Sequence, residues 1–133
     1  MTRDYLRLSL DYHYWARDRM LVAVAPLPPD QYARPLGSSF SSIRDTINHI
    51  YLAEWIWYHR WQGESPTGPP QIDLTNLPTL QVTWREHEVK VRALVRGLDD
   101  TGIKRVIEYK LLNGQPGASP FWQMLVHVVN HAS

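Results

Sequence analysis

Two histidines lie one helical turn apart near the end of the sequence, in the stretch MLVHVVNHAS (124–133). His127 and His131 are separated by four residues, a spacing that brings two side chains to one helix face with Cβ atoms roughly 5–6 Å apart. Two neutral imidazoles in this arrangement can bind one metal ion, or they can be hydrogen-bonding residues of an apolar core. The spacing alone leaves both interpretations open.

A third histidine, His49, lies beside the apolar stripe of another predicted helix, in SSIRDTINHIYLAEWIW. Helical bundles commonly build metal sites from side chains that project inward from facing helices. His49 could therefore complete a three-histidine site with His127 and His131. The alternative is that His49 borders the core and hydrogen-bonds a backbone carbonyl or Glu54.

Other residues could line a pocket beside such a site. Glu54 interrupts an apolar helix face, so it either pairs with a buried partner or orients a ligating imidazole. His13 could face inward as a pocket residue or lie partly exposed. Trp15 and Trp57 could wall an apolar cavity, although most tryptophans here have the spacing of core residues. Glu54 and Tyr51 are possible general bases.

The two remaining histidines have polar surroundings and are predicted to lie on solvated helix faces. His59 occurs near a predicted helix end, and His87 lies between Glu86 and Glu88. We expect no site role for either.

Composition excludes several classes of function. The chain has 133 residues, no cysteine and a formal net charge of +1. A metal would have to be held by His, Asp or Glu, and a thiol nucleophile would have to come from outside the protein. Basic and aromatic residues are not clustered as in nucleic-acid-binding proteins. No apolar run reaches the roughly 18 residues of a membrane span, so we expect a cytoplasmic protein.

Hydrophobic periodicity predicts four helices and one β-hairpin. Prolines in APLPPD end the first helix, and GESPTGPPQIDLTN (63–76) is predicted to be a loop. The predicted helices span about 3–25, 42–62, 78–98 and 120–133, and the hairpin spans about 104–118.

Local signals support three of these boundaries. Ser42 with Asp45 three residues on resembles a capping box at the start of the second helix. Asn113-Gly114 is the dipeptide best suited to a type I′ hairpin turn. Ser119-Pro120 has the pattern of an N-cap followed by proline at the first position of the fourth helix.

The four helices predict an all-α fold, a single-domain four-helix bundle with a small hairpin before the last helix. The fourth predicted helix is much shorter than the second and has no C-cap signal. We therefore expect the given sequence to end inside this helix, with residues that complete the site beyond Ser133.

Three stretches together resemble the DinB-like (YfiT-like) family of metal-binding four-helix bundles. They are LDYHYWARDRML in the first helix, SFSSIRDTINHIYLAEWIWYHRWQGE in the second and PFWQMLVHVVNHAS in the fourth. The resemblance covers nearly the whole chain, and its most specific segments are NHI and HVVNHAS.

The resemblance implies an up-down-down-up bundle, frequently a homodimer, that binds a divalent metal such as Zn, Ni or Fe. One ligand comes from the second helix, which His49 matches, and two come from the fourth, of which His131 matches one. In the family the other ligand follows four residues later, which here lies past Ser133. Either the natural chain continues to that residue or His127, one turn earlier, takes its place.

Characterised members of the family include transferases and isomerases that use low-molecular-weight thiols. The resemblance thus implies a metal-dependent enzyme that transfers such a thiol to a small electrophile, or a metal-dependent hydrolase, since a metal also activates water. A competing hypothesis is a non-catalytic metal- or ligand-binding bundle that acts as a dimeric sensor or structural module. A plain bundle with core histidines would bind no metal.

Overall fold

The computed structural model describes residues 1–37 and 42–132. The four long helices confirm the four helices predicted from periodicity, with ends that differ by a few residues; the predicted end of the last helix at Ser133 lies outside the described residues. The elements in chain order are α1 (Arg3–Val24), α2 (Pro29–Tyr32), α3 (Ile43–Trp61), α4 (Leu77–Arg96), α5 (Asp100–Lys104), β1 (Val106–Lys110), β2 (Pro116–Pro120) and α6 (Phe121–Ala132).

The long helices pack around one hydrophobic cluster. α1 contacts α4 and α6, α3 contacts the same two helices, and β1 packs against α3. All four long helices contribute side chains that are almost completely buried, among them Leu6, Ile47, Trp84 and Leu125. The up-down-down-up order of the helices stays a prediction.

Polar caps define where the three longest helices begin. Thr2, Ser42 and Asn76 each accept a hydrogen bond from the backbone N–H three residues on, at 3.0–3.1 Å. Such bonds satisfy N–H groups that have no partner within the helix. The predicted cap at Ser42 is thereby confirmed, and it starts the helix that carries His49.

Two short helices were absent from the sequence prediction. Proline at the first position begins α2, and Asp99 caps α5 by accepting a hydrogen bond from Gly102 N at 2.6 Å. Both signals are visible in the sequence. Helices of four and five residues contain too little periodicity to be recognised from hydrophobic pattern.

The predicted hairpin is present, but its turn differs from the predicted type I′ turn. The strands are antiparallel, with Val106 opposite Pro120 and Lys110 opposite Pro116. A type I′ turn needs positive φ at two central residues, whereas in this loop only Gly114 has positive φ, at 84°. Its N–H bonds Leu111 O at 2.9 Å, a three-residue hairpin pattern that ends in a left-handed glycine.

The predicted N-cap at Ser119 is wrong. Ser119 pairs with Ile107 within the hairpin, and its hydroxyl donates to the carbonyl of Ala118 at 2.8 Å. Ser119 and Pro120, which the local pattern assigned to the helix start, therefore belong to a strand. As a result, α6 follows β2 without an intervening loop.

In the described part of the chain, no helix combines the length and apolar character needed to cross a membrane.

Gly117 provides a test of the hairpin packing. A Cβ atom at Gly117 would lie 2.7 Å from the ring of Tyr109, which itself packs on Trp57 with ring centroids 5.1 Å apart. We expect Gly117→Ala to lower the free energy of unfolding by about 1–3 kcal/mol, since the ring must move out of a packed position. The measurement is urea unfolding followed by circular dichroism.

Gly68→Ala is the matched control, because nothing lies within 4 Å of a Cβ built at Gly68. It should be neutral or slightly stabilising. Equal stability of the two variants would contradict the packing described for Gly117.

Candidate functional site

The packing of α3 on α6 brings His49 and His131 together. Their Nε2 atoms are 3.3 Å apart, and their ring centroids are 5.0 Å apart. His49 is half-buried and His131 is exposed. Two imidazoles that are 82 residues apart in the chain therefore meet at the edge of the core.

The distance between the two nitrogens suits a shared metal ion. Two imidazole nitrogens on one tetrahedral ion with bonds of about 2.0–2.1 Å would be roughly 3.3–3.4 Å apart. The same spacing also permits a hydrogen bond between two neutral imidazoles, in which one ring donates and the other accepts. Either arrangement needs an unprotonated nitrogen.

Burial favours that unprotonated form at His49. Partial removal from water lowers the pKa of His49 below its ordinary value of 6.5, and the nearby His131 lowers it further. At neutral pH His49 is therefore mostly unprotonated, the form that can bind a metal or accept a hydrogen bond.

His127 lies one turn before His131, on the same side of α6, and is exposed. Its ring centroid is 5.9 Å from that of His131 and 5.8 Å from that of Trp57. Within residues 1–37 and 42–132, no group of three or more His, Asp or Glu side chains is arranged to hold a metal ion. The structure thus brings together a histidine pair, and ligation by His127 stays a prediction.

A cavity of about 500 Å³ opens beside the histidine pair. This volume is within the range of small-molecule sites. Most of its walls are apolar and come from α3, α6 and the loop that follows α3. The lining residues are His49, Leu52, Ala53, Ile56, Trp57, Arg60, Thr67, Gly68, Pro69, Leu112, His127, Val128 and His131.

Of the two tryptophans predicted to wall a cavity, Trp57 lines this one and Trp15 does not. Trp15 is 57% exposed on α1, and its ring stacks against the guanidinium of Arg19 at 5.1 Å. The prediction for Trp15 is therefore wrong. Its neighbours Tyr14 and Arg17 take the inward positions of that turn instead.

The cavity also contains a residue that the sequence analysis did not select. Arg60 is only 5% exposed, and its guanidinium lies over the rings of Trp57 at 4.7 Å and Tyr109 at 5.1 Å. Burial lowers its pKa below the ordinary value of an arginine, while Tyr109 opposes the effect. The only signal in the sequence is an arginine among aromatic residues at a helix end, in WYHRW.

Glu54 lies in a different place, deep in the core. Glu54 is 1% exposed; its Oε1 is 2.5 Å from His13 Nε2, and its Oε2 accepts a hydrogen bond from Trp84 Nε1 at 3.0 Å. Of the two roles considered for Glu54, the structure supports pairing with a buried partner. His13 is 4% exposed, so it faces inward and the partly exposed alternative is wrong.

His87 is buried, contrary to the prediction of a solvated face. It is 5% exposed, and its Nε2 is 3.6 Å from Oε2 of Glu54. Its ring packs edge-on against Tyr51 and Tyr58. The signal was present in the sequence, since His87 follows Trp84 by three residues and therefore shares its helix face.

Tyr51 lacks the properties of a general base at neutral pH. Burial raises its pKa to about 12, and the negative charges of Glu54 and Glu86 add to the effect. Its hydroxyl therefore keeps its proton.

The buried contacts of Glu54 with His13 and Trp84 lead to a prediction about stability. Glu54→Ala leaves His13 and Trp84 without their buried acceptor, so we expect a loss of about 3–5 kcal/mol in the free energy of unfolding. Glu64→Ala is the matched control, because it removes a surface carboxylate 3.1 Å from His59. That loss should be below about 1 kcal/mol. Similar losses in chemical unfolding of the two variants would contradict the role assigned to Glu54.

His87 generates a pH prediction. Burial lowers its pKa below 6.5 in the folded chain, with Glu54 opposing the effect. The unfolded chain, which titrates near the ordinary value, therefore binds more protons just below pH 6.5. The stability contributed by neutral His87 is complete above the unfolded pKa and is lost as pH falls through the folded pKa.

We accordingly expect wild-type protein to lose more stability than His87→Gln between about pH 7.5 and 5.5. Urea unfolding of both proteins at the two pH values gives the change in the free energy of unfolding for each. Equal changes in wild type and His87→Gln would show that His87 does not cause the loss of stability at lower pH.

The sequence matches the model of a known protein family. A family model described as the DinB family matches residues 1–133, the whole of the given sequence. No curated protein matches it significantly. The match agrees with the resemblance carried by the segments around His49 and His131. The chain belongs to the DinB family.

Proposed function

We propose that this protein binds a divalent metal ion through His49 and His131, with His127 as a third ligand, and that it is a metal-dependent enzyme. The observation that carries the proposal is the 3.3 Å distance between the two Nε2 atoms. It is the spacing that two nitrogens on one tetrahedral ion would have. Membership of the DinB family supports the same assignment.

The proposed reaction is transfer of a low-molecular-weight thiol to a small electrophile. The metal, when bound, would lower the pKa of a coordinated thiol or water so that the deprotonated form is present near neutral pH. The chain has no cysteine, so the sulfur nucleophile must be a co-substrate.

The residues around the pair have separate roles in this proposal. Leu52, Ile56 and Val128 form apolar walls that would exclude water and hold the apolar part of an electrophile. Trp57 offers an aromatic face beside His127. The cavity beside the pair would give a substrate access to an open, exchangeable coordination position of the kind found in catalytic sites.

Metal-dependent hydrolysis is the second candidate, because water could take the position proposed for the thiol. The two reactions differ in what is consumed. Thiol transfer forms a carbon–sulfur bond and releases a leaving group, whereas hydrolysis consumes water. A non-catalytic bundle is the competing assignment, and it would be expected to hold its metal in a closed structural site.

Metal content tests the proposal directly. We expect purified untagged protein to contain near-stoichiometric Zn, Ni or Fe by elemental mass spectrometry. His49→Ala and His131→Ala should each weaken metal binding by at least roughly tenfold, since even residues outside the coordination shell contribute that much. His127→Ala should also weaken it if its imidazole is the third ligand, because loss of any ligand opens the site.

His59→Ala is the matched control, because His59 is on the same helix and pairs with Glu64 away from the cavity. It should keep full metal content. Equal metal content in wild type and His49→Ala would overturn the proposal. Metal-loaded protein would then be assayed with glutathione and an aryl halide, and separately with an aryl ester, so that thiol transfer and hydrolysis are measured independently.

A further inference from the structure

We infer that Arg60 binds the anionic group of a small organic acid in the cavity beside His49 and His131. The ligand would place a carboxylate on the guanidinium and an apolar body against the walls. This inference names a substrate class for the same site and therefore rests on the proposed function.

The first support is that Arg60 is buried without a counter-ion. It is 5% exposed, and among the described residues no carboxylate forms an ion pair with it. Its Nε is fully buried with no hydrogen-bond partner. A buried, unpaired charge is costly, so such groups normally have a partner.

Arg17 shows how this chain treats another buried arginine. Arg17 is 4% exposed, but its guanidinium bonds Asp18 at 2.8 Å and Glu88 at 2.5 Å. Both arginines stack on aromatic rings. The difference between them is that Arg17 has two carboxylate partners, whereas Arg60 has none among the described residues.

The aromatic contacts of Arg60 provide no hydrogen-bond partner for its guanidinium. The guanidinium carbon lies over the rings of Trp57 and Tyr109, whose centroids are 5.1 Å apart, so both rings lie to one side of the group. The N–H donors lie in the plane of the guanidinium and form a fork. This fork matches a carboxylate, which can accept two parallel hydrogen bonds.

The cavity favours an anion over a cation or a neutral ligand. Arg60 and three histidines are among its lining residues, and no Asp or Glu is. The other walls are mostly apolar, including Leu52 and Ile56. In such surroundings electrostatic attraction is weakened less than in water. A volume of about 500 Å³ has room for an acid with an aliphatic or aromatic body.

The test is an NMR titration of the full chain with hexanoate and with hexanamide, its neutral isostere. The titration is run on metal-loaded protein and on protein stripped with a chelating resin, because a carboxylate can also bind a metal. We expect hexanoate to bind at least about tenfold more tightly than hexanamide in both preparations, as for hydrogen bonds to a charged group. Shift changes should centre on Trp57 and Val128.

Three variants assign the preference to one side chain. Arg60→Met should abolish the preference for hexanoate, and Arg60→Lys should restore part of it, because lysine keeps the charge without the fork. Arg19→Met is the matched control, since Arg19 also stacks on a tryptophan but is exposed on α1. It should keep the wild-type preference. Circular dichroism confirms that each variant is folded.

Each outcome bears on one proposal at a time. Equal binding of hexanoate and hexanamide to metal-free wild-type protein would overturn the assignment of Arg60, whatever happens to its variants. Metal content that depends on His49 and His131 would still support the proposed function in that case. A preference for hexanoate that requires Arg60 in protein that never binds metal would support the anion site and overturn the metal site.

Discussion

The architecture depends on a buried carboxylate that joins three of the four long helices. Glu54 on α3 contacts His13 on α1 and Trp84 on α4, and all three side chains are at most 4% exposed. An unpaired carboxylate in that position would be strongly unfavourable, so the rotation of each helix about its axis is restricted. Apolar packing alone would be less selective, since it is non-directional.

The restricted rotation of α3 gives this helix two separate faces. Ile47, Tyr51, Glu54 and Trp61 point into the core, whereas His49, Ile56 and Arg60 point toward the cavity. The stabilising cluster and the candidate site therefore share one helix without sharing residues. Changes in the cavity can alter ligand preference while leaving the Glu54 contacts in place.

Much of this arrangement could be predicted from sequence. Hydrophobic periodicity identified the four long helices, and the Ser42 cap located the start of α3. The resemblance paired His49 with His131, and their side chains are adjacent in the fold. These features depend on local pattern or on family-specific segments, both of which one sequence contains.

What could not be predicted depends on tertiary partners. The spacing of His87 from Trp84 is compatible with burial, but its flanking glutamates indicated a solvated face, and its partner Glu54 on α3 comes near it only in the tertiary fold. Arg60 is buried because Trp57 and Tyr109 cover it, and Tyr109 belongs to a strand far along the chain. Ser119 had the local pattern of a helix cap, but pairing with Ile107 placed it in a strand.

The direct succession of β2 and α6 couples the hairpin to the histidine pair. With no loop between Pro120 and Phe121, the pairing of the strands also sets the angular phase of the last helix. A backbone hydrogen bond from Phe121 N to Arg105 O, at 3.0 Å, stabilises that junction. One added residue at the junction would turn α6 by about 100°, from 3.6 residues per turn. The register of the five residue pairs in the hairpin therefore determines whether His131 lies next to His49.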